Sequence, residues 1–245
     1  MQTTISPSET NEELTRFSGY LDVNKLITAP TCIIGCGAIG RQIALQLAAM
    51  GNRNMTLVDF DKVDTVNIGV QGWGVGDIGK FKVDAMNAEI LSKHNFCPDT
   101  DGCAWPPDDE GKLDVFFDQG QTPYFFFAVD SIGVRNQMWQ ALRSKVNCNI
   151  IDTRMGINTC NVISCGASFS NDLHWYSKTL FPEAEAEQAP CTMKSTLYCA
   201  NIAAGFAVSQ FVEGLRCEEG RADSDFLNHN LLINIPCGLI ETGQE

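Results

Sequence analysis

Short β-branched and aromatic runs alternate along this chain with longer segments in which apolar residues recur every three or four positions. The run from Thr31 to Gly35 predicts a short strand that enters a glycine-rich turn. In the segment AIGRQIALQLAAMG that follows, apolar positions such as Ile39 and Ile43 share one helical face, and Gly51 is placed to end the helix. The segment NMTLVDF predicts the next strand. These elements together predict a β-α-β unit, and such units form parallel sheets with right-handed crossovers.

The same alternation continues toward the C-terminal end of the sequence. Helices are predicted for KFKVDAMNAEILSKHN, SIGVRNQMWQALRSK and the small-residue-rich TLYCANIAAGFAVSQFVEGLR, and strands for PYFFFAVD, NCNIIDTR, NTCNVIS and LLINIP. The segment NFCPDTDGCAWPPDDEGKL has the composition of a loop around a variable edge element.

These elements predict an α/β, Rossmann-like fold. We expect a mostly parallel twisted sheet flanked by helices, with a crossover loop near 178–194 and a C-terminal edge strand. Residues 1–15 are polar and predict a flexible N-terminal tail, and 16–245 predict one domain.

Three of the predicted strands carry an aspartate at or near their carboxyl ends, namely Asp59, Asp130 and Asp152. The carboxyl ends of parallel strands meet at one edge of a sheet, which is where open α/β sheets bind ligands. One such aspartate alone is often an ordinary polar strand end or a helix cap. The set of three therefore predicts a site along this edge.

Composition narrows the classes of partner. The chain has 245 residues, with 17 Lys and Arg against 30 Asp and Glu and a net charge of -13, and it has no Lys/Arg-rich run. This argues against nucleic acid and membrane surfaces as primary partners. The N-terminal segment lacks a signal-peptide apolar core, so we expect a cytoplasmic protein. The eleven cysteines are scattered without a C-x-x-C pair, which predicts reduced thiols and no zinc tetrad.

The first turn carries a nucleotide-binding pattern. Gly35, Gly37 and Gly40 match G-x-G-x-x-G, which combines a tight turn, a close backbone approach to phosphate and close packing of helix on strand. The helix that follows would offer free N–H groups to an anion. Asp59 lies nineteen residues after Gly40, where a carboxylate can accept hydrogen bonds from ribose hydroxyls. On this pattern alone NAD is the expected ligand.

The residues after Asp59 favour a different nucleotide. The segments LVDFDKVDTVN, VQGWGVGDIGKFKVDAM and AVDSIGVRNQMW follow one another in an order that resembles the adenylating-enzyme family of ThiF, MoeB and the ubiquitin-activating enzymes. The resemblance covers about residues 31 to 155. The positions that carry it are Asp59, Asp61, Val63, Asn67, Gln71, the Gly79–Lys82 element, Asp130, Arg135 and Asn136.

The resemblance implies that ATP, as its Mg²⁺ complex, adenylates the C-terminal glycine carboxylate of a small ubiquitin-like or sulfur-carrier protein. It assigns the ribose to Asp59, the phosphates to Lys82, supporting polar roles near the nucleotide to Asn67 and Gln71, and the magnesium ion to Asp130. Lysine, Mg²⁺ and helix-terminal N–H groups suit this reaction because they neutralise charge on phosphoryl oxygens. A homodimer is also implied, with the helix around 200–215 as a contact.

The sequence also departs from the family pattern. Val70 stands where the family usually has an arginine that helps to hold the phosphates, and Arg41 or Arg16 is a candidate substitute. Cys191, in the predicted crossover loop, matches the position at which some relatives form a thioester. Arg135 is a candidate catalytic residue that could instead pair with Asp130 or lie on the surface.

Two other functions remain open from the sequence. An NAD-dependent oxidoreductase would use the same glycines and Asp59 but would leave Lys82, Asn67 and Gln71 without a role. A non-catalytic scaffold that kept the fold and lost the chemistry is favoured by Val70.

Overall fold

The computed structural model describes residues 18–103, 105, 111–145, 147–166, 170–182, 196–222 and 230–243. Its centre is an eight-stranded sheet with the order β3-β2-β1-β4-β5-β6-β7-β8. The strands are β1 Thr31–Ile34, β2 Met55–Val58, β3 Asp99–Asp101, β4 Tyr124–Phe127, β5 Asn149–Met155, β6 Thr159–Gly166, β7 Asn230–Asn234 and β8 Leu239–Gly243.

Helices connect and cover these strands. They are α1 Val23–Thr28, α2 Ala38–Ala49, α3 Ile68–Gln71, α4 Lys82–His94, α5 Gly111–Phe117, α6 Ile132–Leu142, α7 Ser170–Lys178 and α8 Leu197–Glu218. Two 3₁₀ turns, Thr65–Asn67 and Val75–Asp77, lie in the connection between β2 and α4. The α/β prediction is confirmed, and each strand and helix predicted above is present.

The aromatic strand β4 explains why helices lie on both faces of the sheet. All four of its residues are buried, with Tyr124 and Phe126 in the core under α2, α4 and α8, and Phe125 and Phe127 in the core under α5, α6 and α7. Successive side chains of a strand point to opposite faces. A continuous apolar run therefore requires cover on both sides, which is typical of strands in a parallel sheet.

The sheet changes direction halfway across. Strands β3, β2, β1, β4 and β5 pair in parallel, whereas β5, β6, β7 and β8 pair antiparallel. The predicted strand LLINIP is β7, but it does not form the edge, because β8 pairs with it and is exposed along its whole length. Short elements with weak patterns, such as α1, α5 and β8, were not predicted from the sequence.

The small-residue helix α8 packs inside the chain. Ala200, Ala203, Ala204 and Ala207 are fully buried, and they belong to the same core as Ile43 of α2. Side chains this small let two helix backbones approach closely. The face expected at a subunit contact is thus occupied within this chain, and the homodimer stays a prediction.

Several predicted features lie outside the described residues. They are the tail 1–15, Arg16, Cys191 and most of the crossover loop 178–194. Within the described ranges, none of the helices combines the length and the hydrophobicity needed to cross a bilayer.

The close contact between α2 and β1 gives a stability prediction. A Cβ atom at Gly40 would lie 1.8 Å from the carbonyl oxygen of Gly35, so Gly40→Ala must push the helix away from the strand. We expect this change to lower the free energy of unfolding by at least about 2 kcal/mol in chemical denaturation.

Gly205→Ala is the matched control, because apart from the neighbouring backbone of its own helix no atom lies within 4 Å of the added Cβ. It should raise the free energy of unfolding by about 0.5–1 kcal/mol, since alanine loses less backbone entropy in a helix. Equal effects of the two changes would contradict the packing argument.

Candidate functional site

The glycine-rich turn lies at the carboxyl end of β1. Gly35 has a φ of +95°, and its N–H donates to the carbonyl of Val58 at 2.8 Å. A Cβ atom there would lie 2.7 Å from the carbonyl oxygen of Ala128. Gly37 is the N-cap residue of α2 and has no side chain that could accept from the first N–H groups of the helix. Such a helix start is suited to binding an anion.

Asp59 fastens this turn to the end of β2. Its carboxylate accepts one hydrogen bond from the N–H of Cys36 and another from the N–H of Asp61, both at 2.7 Å. Burial raises the pKa of Asp59, while the ammonium of Lys82 and the two N–H donors oppose that rise. The carboxylate is 8% exposed, which leaves a narrow access for a ligand hydroxyl.

Lys82 brings a positive charge to the same place. It is the first residue of α4 and is buried, and its ammonium lies 2.8 Å from Asp61 and 3.8 Å from Asp59. Asp61 is half exposed. An ammonium has three donors and can bind a phosphate oxygen while it keeps a carboxylate partner. Asp59 and Lys82, which the family resemblance assigns to the ribose and the phosphates, therefore lie together at one site.

Asn67 and Gln71 occupy different positions. The side-chain Oδ1 atom of Asn67 accepts from the backbone N–H of Asp64 at 2.9 Å, so this side chain satisfies the loop backbone. Gln71 reaches the nucleotide turn, because its Nε2 atom lies 3.9 Å from where a Cβ on Gly37 would be. Val70 beside it is half-buried and has no polar side-chain atom.

Asp130 lies three residues beyond β4 and is exposed. Within the described ranges, no three His, Cys, Asp or Glu side chains cluster as a metal site would require. A magnesium ion held with Asp130 would therefore take most of its oxygen ligands from nucleotide phosphates and water, which suits the coordination that Mg²⁺ prefers. The site fits the metal as part of a nucleotide complex.

Asp152 is level with Phe127, the last residue of β4, as the expected carboxyl edge requires, but its side chain is not open to a ligand there. It is inside β5 and fully buried, and its oxygens lie 2.7 Å from guanidinium nitrogens of both Arg135 and Arg154. The hydroxyl of Tyr176 also donates to it at 3.0 Å. Burial raises the pKa of Asp152, but the two guanidinium groups outweigh this and hold it below its usual range.

Arg135 therefore has a structural partner that neither sequence-based alternative included. It pairs with Asp152 instead of Asp130, it is 5% exposed, and it also donates to the carbonyl of Thr153 at 2.7 Å. The ion pair with Asp152 gives Arg135 a structural role, and a catalytic role for Arg135 stays a prediction.

Trp73 is a residue of this site that the sequence analysis missed. It is 3% exposed, and its indole N–H donates to the Oε1 atom of Gln71 at 3.0 Å. The sequence did carry a signal for Trp73. A large aromatic residue between Gly72 and Gly74 indicates that this part of the loop is buried and not exposed to solvent.

Comparison with known sequences gives a family-level match. A profile of the ThiF family matches residues 10–236, which is most of the chain. The chain belongs to the ThiF family. The resemblance drawn from the motifs is thereby confirmed.

One relative of this chain is a probable adenylyltransferase/sulfurtransferase named MoeZ, from Mycobacterium tuberculosis. It is 33% identical over 90 residues, which cover 33% of this chain and 23% of MoeZ. The chain thus matches about a quarter of that relative's length.

Solved structures share the fold of this ThiF-family chain. A structure of PaaA has a TM-score of 0.71 at 19% identity and covers 100% of this chain and 85% of its own. Escherichia coli MccB with ATP has a TM-score of 0.66 at 17% identity, covering 91% and 65%. MccB with N-formylated MccA has a TM-score of 0.65 at 19% identity, covering 97% and 74%. At these identities the likeness shows the fold alone.

The Lys82–Asp59 pair predicts a measurable electrostatic change. Because the Lys82 ammonium lowers the pKa of Asp59, Lys82→Met should raise that pKa, as measured by carboxyl ¹³C NMR titration. Lys80→Met is the control, since Lys80 pairs with Asp77. A pKa of Asp59 that does not change in Lys82→Met would refute the coupling.

The buried ion pair predicts a loss of stability. Arg135→Met leaves Asp152 with one guanidinium fewer, and we expect the free energy of unfolding to fall by about 3–5 kcal/mol in urea. The added Asp152→Asn change should recover part of this loss, because it removes the buried charge. In the wild type, the low pKa of Asp152 means that its stabilising contribution is present above the unfolded-state pKa and is lost as the pH falls through the folded-state pKa.

Proposed function

We propose that this protein catalyses the ATP-dependent adenylation of the C-terminal glycine carboxylate of a small ubiquitin-like or sulfur-carrier protein, with release of pyrophosphate. The observation that carries the proposal is the placement of Asp59 and Lys82 together beneath the glycine-rich turn, 3.8 Å apart. A carboxylate for ribose and a cation for phosphate lie next to a helix start that can bind an anion. Membership of the ThiF family supports the same reaction.

The residues divide the binding of ATP among them. Remaining lone pairs on Asp59 accept from ribose hydroxyls, while the N–H groups after Gly37 and the ammonium of Lys82 bind phosphate oxygens. Asp61 holds that ammonium in the free protein at 2.8 Å. When a phosphate binds, the ammonium of Lys82 either exchanges Asp61 for a phosphate oxygen or contacts both. An anion therefore balances the charge of Lys82 in the free and in the bound protein.

Magnesium accompanies the nucleotide in this proposal. When bound, Mg²⁺ neutralises phosphate charge and orients the phosphates. Asp130 would hold it or its water shell, and its exposure at the carboxyl end of β4 leaves it free to do so.

The reaction requires no protein base. A C-terminal carboxylate is already ionised near neutral pH, and its oxygen forms a bond to the α-phosphorus while the bond to the bridging oxygen breaks. Pyrophosphate leaves with that electron pair. The contribution of the protein is to bring two anions together and to stabilise the charge that develops between them.

The names of similar proteins support the class of molecule whose carboxylate is adenylated. The name of MoeZ includes both adenylyltransferase and sulfurtransferase, and one MccB structure contains N-formylated MccA. Both favour a polypeptide or sulfur-carrier acceptor over a small metabolite. The proposal also includes transfer of the activated carboxylate to Cys191 as a thioester. It further includes a homodimeric assembly and a cytoplasmic location.

A non-catalytic scaffold is the second candidate, and Val70 is the observation that favours it. Val70 has no guanidinium group, and the guanidinium of Arg135 is buried in its pair with Asp152. Neither residue can therefore replace the missing phosphate-binding arginine. Such a protein would bind its partner without exchanging pyrophosphate. An NAD-dependent oxidoreductase is less favoured, because hydride transfer gives no role to Lys82.

The test is exchange of labelled pyrophosphate into ATP with Mg²⁺ and a panel of small proteins ending in Gly-Gly. We expect exchange that depends on one carrier and falls at least tenfold in Lys82→Ala and in Asp130→Ala. Lys80→Ala should retain it, since this half-exposed lysine pairs only with Asp77 among the described residues.

Exchange that is absent with every carrier, in a folded protein that still binds a Gly-Gly carrier, would replace the enzyme with the scaffold. Tight NAD binding without ATP binding would favour the oxidoreductase.

A further inference from the structure

The Gln71 side chain lies against the middle glycine of the nucleotide turn. Its Nε2 atom is 3.9 Å from the position of a Cβ on Gly37, and it is half-buried. Gln71 is the last residue of α3, and Gly72 then turns the chain back with a φ of +77°. A side chain at Gly72 would lie 3.2 Å from the guanidinium of Arg41. The segment therefore closes tightly over α2.

Trp73 fixes which end of the Gln71 amide faces the turn. The indole nitrogen can only donate, and it donates to the Oε1 atom of Gln71 at 3.0 Å. The amide cannot be turned over without placing two donors together. Its NH₂ group, which has two donors, is therefore the end next to Gly37.

Arg41 holds Trp73 in this position from behind. Its guanidinium lies 4.9 Å from the centre of the indole ring and 2.5 Å from the carboxylate of Glu89. Glu89 also accepts from the ammonium of Lys93 at 2.7 Å. Arg41 is 8% exposed, and its Nε atom has no acceptor in the described part of the chain.

We propose that Trp73, held by Arg41, is a positioning residue that orients the Gln71 amide so that its NH₂ group donates to the phosphates of the bound nucleotide. This inference rests on the proposed function, in that it takes the ligand of the turn to be a nucleoside triphosphate. Val70 has no polar atom to offer, so on this segment the contact to the anion falls to Gln71.

The first experiment measures binding of MgATP and of adenosine by calorimetry to wild type and to Trp73→Phe. Phenylalanine keeps an aromatic face for Arg41 but lacks the N–H donor. We expect affinity for MgATP to fall by about fivefold or more, because the Gln71 amide is no longer held in the orientation that donates to the charged phosphate. Adenosine affinity should not change, since adenosine has no phosphate. Equal effects on both ligands, or none on MgATP, would overturn the proposal.

Gln71→Glu tests the contact between the Gln71 amide and the phosphates without altering the buried Trp73. The carboxylate still accepts from Trp73 but presents an anion where the amide presented donors. MgATP affinity should fall by at least tenfold while adenosine affinity is retained. Gln137→Glu, on the exposed side of α6, makes the same charge change away from the site and should leave both affinities unchanged. A MgATP affinity equal in Gln71→Glu and Gln137→Glu would refute the proposal.

Failure of the proposed function can be told apart from failure of this inference. If the wild type binds MgATP but shows no pyrophosphate exchange, adenylation fails and the comparison of variants still stands. If it binds no ATP, inorganic triphosphate is the probe, and weaker binding by Gln71→Glu than by Gln137→Glu supports the inference alone. If the wild type binds neither ATP nor inorganic triphosphate, both the proposed function and this inference are overturned.

Discussion

The carboxylate of Asp59 is the interaction on which the site depends. It is almost fully buried and accepts hydrogen bonds from the N–H groups of Cys36 and Asp61, which belong to the turn after β1 and the loop after β2. A buried carboxylate is costly unless it is paired and hydrogen-bonded. The nearby ammonium of Lys82 supplies the opposite charge and brings the start of α4 to the same edge of the sheet. One side chain thereby fixes the relative positions of three chain segments.

The three aspartates at or near strand ends show how environment separates roles that sequence makes look alike. Asp59 is buried against backbone donors and one ammonium, Asp130 is exposed to solvent, and Asp152 is fully buried between two guanidinium groups. The first can bind a ligand hydroxyl, and the second is open to a hydrated metal ion. The third stabilises the junction between the parallel and antiparallel halves of the sheet, where β5 pairs with β4 on one side and β6 on the other.

Membership of the ThiF family and the fold narrow the function, but the residues of the site carry the chemical argument. The chain keeps the aspartate and lysine of the expected nucleotide site and has Val70 where an arginine was expected. Its own solution on that segment is a glutamine whose orientation is fixed by Trp73. The tryptophan is in turn supported by the buried guanidinium of Arg41. The sequence singles out both Arg41 and Val70, whereas the chain of contacts from Arg41 through Trp73 to Gln71 is seen only in the tertiary structure.

The sequence by itself determined the order of the main strands and helices, the glycine turn and the family, because these depend on local periodicity and on fixed spacing along the chain. Only the tertiary structure decided that Arg135 pairs with Asp152, that the small-residue face of α8 is buried in this chain, and that β8 covers β7. Each of these outcomes depends on which surfaces meet across long separations in the chain. A pattern of single residues specifies that a side chain must be buried or paired, but its partner is chosen only when the layers pack.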